Sequence, residues 1–204
     1  TVSGAAENTY LLVDLPPAFR SSEADTAEDH NHLAYAYKRD AEGATGVAFS
    51  SLDPGEREIA AGPIMWAVAK SKYFLVGMLA PVGKPGFAEL NVTGGERRGK
   101  QATRAQATAV IPLIGGSTAF EMYAGPQEFT RLVKMGREFE TSNPYGGWLQ
   151  GVVQPFATMV IKLLLWMKAT LGLSYGWILV IFGIAVRIIL WPLNQKAMRS
   201  SMAM

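Results

Sequence analysis

The sequence contains no cysteine, only two histidines, and no aspartate or glutamate in residues 141–204. The missing cysteine excludes a disulfide framework, a CxxC redox pair and a cysteine-ligated zinc site. Two histidines leave little imidazole for acid–base chemistry, and no Ser-His-Asp or paired-carboxylate arrangement stands out. A composition of 49% hydrophobic and 18% charged residues, with 21 glycines and 11 prolines, excludes collagen-like, low-complexity and wholly disordered chains.

The charged residues divide the chain into two regions. All 17 acidic residues and 14 Lys or Arg fall in residues 1–140, a net charge of −3, whereas residues 141–204 carry five Lys or Arg, a net charge of +5. The length of 204 residues allows one or two domains. Because Thr1 is not an initiator and Met204 lies within an amphipathic pattern, we expect a fragment of a longer protein.

Residues 1–140 are expected to form a water-facing domain that is mainly an antiparallel β-sandwich. Gly or Pro turn signals separate strand-like stretches at 33–38, 47–50, 73–79, 87–93, 103–112 and 117–123. Residues 16–31, rich in Ser, Asp and Glu, predict a solvated loop. A helix is predicted over 126–140, because proline suits the first helical position, and residues 141–147 predict a linker with helix-ending Pro and Gly.

Residues 148–170 predict an amphipathic helix that lies in a membrane interface. Its apolar residues repeat at spacings of three and four, and polar residues repeat every four positions on another face. Trp148 and Trp166 lie towards the ends of the apolar run, while Lys162 and Lys168 are its charged residues. A soluble core helix is the alternative, which the following segment makes less favourable.

Residues 175–193 predict a membrane-spanning helix, followed at 194–204 by the start of a polar amphipathic helix. A helix over 175–193 would be roughly 28 Å long, close to the hydrocarbon thickness of a bilayer. Tyr175, Trp177 and Trp191 lie near its ends, where aromatic side chains favour the headgroup level. Basic residues flank both ends, so charge alone does not decide its orientation.

Arg187 is the only charged residue of this predicted span. It lies three positions past the central Ile184, about 4.5 Å from the midplane of an upright helix, where an arginine costs roughly 2.5–3.5 kcal/mol. Its counter-charge must come from a helix outside this chain, a lipid headgroup, water or an acidic peptide. Snorkelling is the alternative, but it would leave the guanidinium inside the hydrocarbon, so we favour a cavity-facing functional role.

The sequence around Arg187 resembles the YidC membrane protein insertases. The resemblance rests on Gly176-Trp177, Ala185-Val186-Arg187, Trp191-Pro192-Leu193-Asn194 and residues 196–204. Upstream, Tyr123-Ala124-Gly125-Pro126 and residues 145–149 resemble the end of that family's periplasmic domain and its junction with the interfacial helix. The similarity is strong over residues 117–204, weaker over 57–112 and slight over 1–56.

The resemblance implies a protein of the bacterial inner membrane that inserts and folds other membrane proteins, alone or beside the Sec translocon and its accessory subunits. It implies a periplasmic sandwich related to sugar-mutarotase folds and five core helices that enclose a hydrophilic groove, with residues 194–204 starting a cytoplasmic hairpin. Arg187 falls on the groove arginine, which would bind the acidic or polar segment of a nascent membrane protein. Membrane lipids are further expected partners, whereas nucleic acid, cofactors and enzymatic activity are not expected.

Two alternatives remain open at this point. One is a membrane-anchored carbohydrate-binding or enzymatic sandwich in which the span is only a tether. The other is an accessory subunit in which Arg187 pairs with an acid on a partner helix.

Two further motifs predict little. Residues 94–100 approach a phosphate-loop spacing, but Gln101 replaces the magnesium-binding Ser or Thr and no helix pattern follows. His30 and His32 beside Glu28 and Asp29 could ligate a metal, yet the loop composition favours solvated side chains, so no metal site is predicted.

Overall fold

The structure is a computed structural model that describes all residues except 5, 7, 8, 100, 145–149 and 202–204. At residues 150, 151 and 192–201 it describes the backbone alone. The chain forms two compact units, Thr1–Pro144 and Tyr145–Met204. The first unit is a β-rich domain and the second is helical.

The first unit is mainly antiparallel β-structure, which confirms the predicted fold class. Its strands are β1 (Val2–Ser3), β2 (Tyr10–Asp14), β3 (Ala34–Arg39), β4 (Ala44–Ala48), β5 (Arg57–Lys70), β6 (Phe74–Leu79), β7 (Phe87–Gly94), β8 (Arg97–Arg98), β9 (Gln101–Ala102), β10 (Ala105–Pro112), β11 (Ser117–Thr118) and β12 (Glu121–Pro126). Two α-helices, α1 (Thr26–Asn31) and α2 (Phe129–Met135), and two 3₁₀ turns, Phe49–Ser51 and Phe139–Ser142, accompany them.

Strand β5 is shared by the two layers of the domain. Its first part pairs with β7 and leads to the order β5-β7-β10-β2, whereas its second part pairs with β3 and β6 in the order β4-β3-β5-β6-β12. The register of the β5–β7 pair shifts between Ala61 and Ile64, where Pro63 has no N–H to donate. The interruption lets one strand leave one layer and enter the other.

Alternation of side chains along β3, β5 and β6 builds two hydrophobic clusters. The first cluster fills the space between the layers and includes Tyr35, Tyr37, Ala67, Ala69, Met78, Leu90, Val92, Ala107 and Ala109. The second lies on the opposite face of β3, β5 and β6 and includes Ala36, Trp66, Val68, Leu75, Leu79, Leu132 and Phe139. Because successive residues of a strand face opposite sides, these three strands are buried on both faces.

Residues 137–139 hold α2 and the 3₁₀ turn Phe139–Ser142 against the sheet. Phe139 contacts the rings of Trp66 and Tyr123 edge-on, with centroid distances of 5.6 Å and 5.9 Å. The Trp66 indole N–H donates to the Arg137 carbonyl over 3.0 Å. The Arg137 guanidinium donates to the Ala80 carbonyl at 2.5 Å and to the Glu121 carboxylate at 2.6 Å, and it lowers the pKa of that carboxyl.

The last residues of the first unit are also held against the sheet. The Lys70 ammonium donates to the Asn143 side-chain oxygen, and burial lowers the pKa of Lys70 to about 8. The Pro144 ring packs against Gly46, where an added Cβ would lie 2.9 Å from the ring. The chain therefore leaves the sandwich at a fixed point.

Three local expectations differ from the structure. The helix expected over 126–140 is confined to α2, because Pro126 pairs with Phe74 as the last residue of β12 and because Arg137 and Glu138 have φ angles of 58° and 55°. The strand expected over 117–123 is split into β11 and β12. The loop expected over 16–31 contains α1, in which Asp29 is buried and accepts hydrogen bonds from Ser21, Ser22 and Glu23.

Replacing Phe139 by alanine should destabilise the sandwich by about 3–5 kcal/mol, because it empties the centre of the second cluster. Phe74→Ala is the matched control, since that ring is 49% exposed, and it should cost much less. Urea unfolding of residues 1–144, which contain both clusters, measures the two values. Equal losses would contradict the assignment of Phe139 to a core.

The depressed pKa of Lys70 predicts a pH-dependent stability. The folded value of about 8 lies below the unfolded value of about 10.4, so the unfolded state binds more protons between these pH values. The free energy of unfolding should therefore rise as pH increases from about 8 to about 10.4, by about 2–3 kcal/mol. Lys70→Met should remove this rise, whereas the same pH slope in both proteins would show that Lys70 titrates normally.

Candidate functional site

The second unit is formed by two helices, α3 (Gln150–Leu171) and α4 (Tyr175–Ser201). Gly172, with a φ of 64°, ends α3, and its N–H donates to the Lys168 carbonyl. The N–H of Ile178 bonds to the Ser174 carbonyl and starts α4. The two helices contact each other, and Met167 and Ile178 are their buried apolar residues among those described.

Most of the large apolar side chains of both helices are exposed. On α3 they repeat at spacings of three and four and are between 39% and 72% exposed: Val152, Phe156, Met159, Leu163 and Trp166. On α4 they are Trp177, Leu179, Val180, Ile181, Ile184, Ile188, Ile189, Leu190 and Trp191. Exposed apolar surface on this scale marks a membrane or protein interaction site.

Length and hydropathy favour α3 as a candidate span among the described residues. Residues Val152–Leu171 have a mean hydropathy of 1.3 and are long enough to cross a bilayer, whereas Tyr175–Trp191 is apolar but shorter. The sequence pattern instead predicts the span at 175–193 and the interfacial helix at 148–170. The backbone of α4 continues as a helix to Ser201, so the helix extends ten residues beyond the end of its apolar part at Trp191.

Arg187 is exposed on α4, about 18 Å along the helix axis from Tyr175 and about 6 Å from Trp191. Its guanidinium has no hydrogen bond or ion pair with any residue that the structure describes. One turn earlier, the space beside Gly183 is open. Because the Cα–Cβ bonds of a helix tilt towards its N-terminus, the Arg187 side chain starts in the direction of Gly183.

The predicted interface residues gather mainly at the turn between the helices. The Lys168 ammonium lies 4.4 Å from the centroid of the Tyr175 ring and donates to the Leu173 carbonyl over 3.4 Å. Trp166 and Trp177 lie near the same turn and are exposed. Trp191 is at the other end of the apolar part of α4, Lys162 is exposed within α3, and Trp148 lies outside the described residues.

The Lys168–Tyr175 contact was not anticipated from the sequence. The sequence feature that points towards it is Lys168 in the last turn of α3, where a cation interacts favourably with the helix carbonyls. The aromatic partner depends on the direction of the turn, which the sequence pattern does not specify. This contact links the end of one helix to the beginning of the next.

The other candidate motifs have structural partners. Arg97, in the loop that resembles a phosphate site, donates to the carbonyls of Ser50 and Leu52. A His32 ring nitrogen lies 3.2 Å from a Glu28 carboxylate oxygen. Hydrogen bonding from Ser21 lowers the pKa of Asp29. These contacts stabilise the sandwich and its loops.

Comparisons with known proteins agree with the resemblance. The family model described as the YidC periplasmic domain matches residues 7–159, which include most of the first unit and the beginning of α3. A membrane protein insertase YidC of Anaeromyxobacter dehalogenans strain 2CP-C is 29% identical over 162 residues, covering 78% of this chain and 28% of the relative.

Two further relatives extend the similarity. The insertase YidC of Chlorobium phaeovibrioides is 28% identical over 184 residues, which cover 85% of this chain and 29% of the relative. That of Chlorobaculum tepidum is 24% identical over 207 aligned positions, covering 97% of this chain and 33% of the relative. The chain thus spans less than two thirds of the length of each of these relatives.

Proposed function

The chain belongs to the YidC family, and on that premise we propose that it acts as part of an insertase that places and folds integral membrane proteins in the bacterial inner membrane. The chemistry is non-covalent. A positive charge held in hydrocarbon lowers the cost of moving a polar segment of a nascent chain part-way across the lipid. Arg187, exposed and unpaired among the described residues, is the observation that carries this proposal.

We propose that α4 crosses the membrane and that α3 lies in its periplasmic interface. Lys162 lies near the middle of the apolar stretch Val152–Leu171, so a spanning α3 would place a lysine close to the bilayer midplane. In an interfacial helix, Lys162 can stay on the polar side while the row of exposed apolar residues enters the lipid. On α4, Tyr175 and Trp191 are about 24 Å apart along the axis and suit the two headgroup levels.

In this arrangement, residues 1–147 are periplasmic and residues 194–204 begin a cytoplasmic amphipathic helix. A single span cannot enclose a groove, so insertase activity requires additional core helices of the kind that the family resemblance implies. Arg187 would then face this groove and bind acidic or polar segments of incoming chains. No carboxylate in residues 141–204 competes for it.

The proposed partners are nascent membrane proteins, membrane lipids, and the Sec translocon with its accessory subunits. Exposed apolar side chains on both helices support lipid contact. Sec cooperation is supported by the family resemblance alone. The family match favours this function over a carbohydrate-binding or enzymatic sandwich with a single-span tether.

The depth of each helix can be measured by spin labelling, because the chain has no cysteine to remove. Single cysteines at 177, 181, 184, 188 and 191 should give a depth profile that is deepest near 184, while those at 152, 156, 159, 163 and 166 should all be shallow. Oxygen and nickel-chelate accessibility in vesicles report the depth. Phe74→Cys, on the sandwich, is the water-exposed control, and a deep maximum near 159–163 with a flat α4 would reverse the assignment.

Arg187→Ala, made in a full-length insertase that contains these residues, should slow insertion of clients with acidic translocated tails. A hydrogen bond to a charged group contributes about 1.5–3 kcal/mol, so the initial rate should fall by about tenfold or more. Arg187→Lys should retain more activity, because it keeps the positive charge.

Reconstituted vesicles and a pair of clients with acidic and neutral tails provide the measurement. Ile188→Ala is the matched control, since Ile188 is also exposed on α4 and carries no charge. Full activity of Arg187→Ala on the acidic client would refute the role of this residue.

A further inference from the structure

The first unit contains a cavity of about 480 Å³ beside β11. It lies between the β6–β7 turn and the segment that joins β10 to β12. Six of its lining residues are apolar, Pro85, Phe87, Ile111, Pro112, Ile114 and Ala119, and the others are Thr1, Gly83, Lys84, Ser117 and Thr118. The volume falls within the roughly 300–1,000 Å³ range of small-molecule sites, which are mostly apolar with a few polar groups.

Several backbone groups of the lining are missing or already hydrogen-bonded. Pro85 and Pro112 have no N–H to donate. Ser117 and Ile114 exchange backbone hydrogen bonds, and the Ser117 hydroxyl donates to the Ile114 carbonyl over 3.4 Å. A bound peptide would lose hydrogen bonds from its own backbone in such a cavity, whereas a hydrocarbon chain has none to lose.

A lysine stands at the edge of this cavity. Lys84 lines it, is exposed, and has no side-chain hydrogen bond or ion pair with any described residue. No acidic residue is among the lining residues. Ile114 of the lining is 62% exposed and the neighbouring Val82 is 78% exposed, so apolar surface continues from the cavity to the outside.

We propose that this cavity binds the single acyl chain of an anionic amphiphile, with the hydrocarbon among Phe87, Ile111 and Ile114 and the negative head at Lys84. The head can be a carboxylate or a phosphate, as in a free fatty acid or a lysophospholipid. A second described cavity of the domain, about 400 Å³ in volume, is lined by Asp14, Glu96 and Arg104 among others and is chemically unsuited to an acyl chain. The proposal does not depend on insertase activity or on Arg187.

Photolabelling of the full chain in phosphatidylethanolamine–phosphatidylglycerol vesicles tests this site. One arm uses dodecanoic acid with a diazirine near its methyl end, and the second uses lysophosphatidylglycerol carrying the same chain. Mass spectrometry of the peptides should find label on residues 82–87 and 111–119 in addition to the membrane helices. Label there from the fatty acid alone assigns a carboxylate ligand, and label from both probes assigns a general anionic head.

Two pairs of variants separate the cavity from its surroundings. Ala119→Trp, which fills the cavity from an exposed position, should lower its labelling by about tenfold, whereas Ala124→Trp on exposed β12 should not. Lys84→Glu should lower labelling by about fivefold, and Lys134→Glu on the exposed side of α2 should leave it unchanged.

The proposal is overturned if only the membrane helices are labelled, or if Ala119→Trp has no effect on the cavity peptides. An unchanged signal in Lys84→Glu overturns the choice of an anionic head. Insertion assays play no part in these readouts, so failure here is independent of the proposed function.

Discussion

The passage of β5 between two layers is the constraint on which the sandwich depends. Its first part belongs to the β7–β10–β2 layer and its second part lies between β3 and β6. A strand in the second position is covered on both faces, so Trp66 and Val68 serve one cluster while Ala67 and Ala69 serve the other. A one-residue change in its register would move each side chain into the wrong cluster, because the side-chain period is two.

The closing segment of the domain makes this two-sided burial possible. Without α2 and the 3₁₀ turn Phe139–Ser142, the outer face of β3, β5 and β6 would expose Trp66 to water. Arg137 holds the segment through the Ala80 carbonyl and the Glu121 carboxylate, and its own carbonyl accepts from Trp66. Arg137 thus holds the closing segment against the sheet. Its left-handed backbone conformation ends α2 and turns the chain back onto the sheet.

Sequence patterns identified β3, β6, β7 and β10 because each has a continuous or alternating apolar run between turn signals. They missed β5, whose small residues and Gly62-Pro63 hide a strand that faces different neighbours along its length. The prediction of a helix that begins at Pro126 was wrong. The preference of proline for the first helical position does not reveal that Pro126 pairs with Phe74 in the sheet. Arg187 could be singled out as a candidate because a lone charge in an apolar run is a local feature, and its role stays a prediction. The cavity beside β11 has no local signal, because it combines Thr1 with residues between 83 and 119.

Lys70 in the first unit and Arg187 in the second are both cations in apolar surroundings, but they differ in whether they can lose their charge. Lys70 is largely buried in the sandwich, where Asn143 accepts its hydrogen bond and its pKa falls to about 8, so the amine can lose its proton at modest cost. An arginine cannot become neutral in this way, because the guanidinium group keeps its proton in proteins. Arg187 stands on an apolar helix surface without a described partner, and within a bilayer its charge must be met by water or by an anion. An arginine therefore keeps its charge at any depth, whereas a lysine keeps it only where water or an anion stabilises the ammonium, and in the proposed function this charge is available to a passing acidic segment.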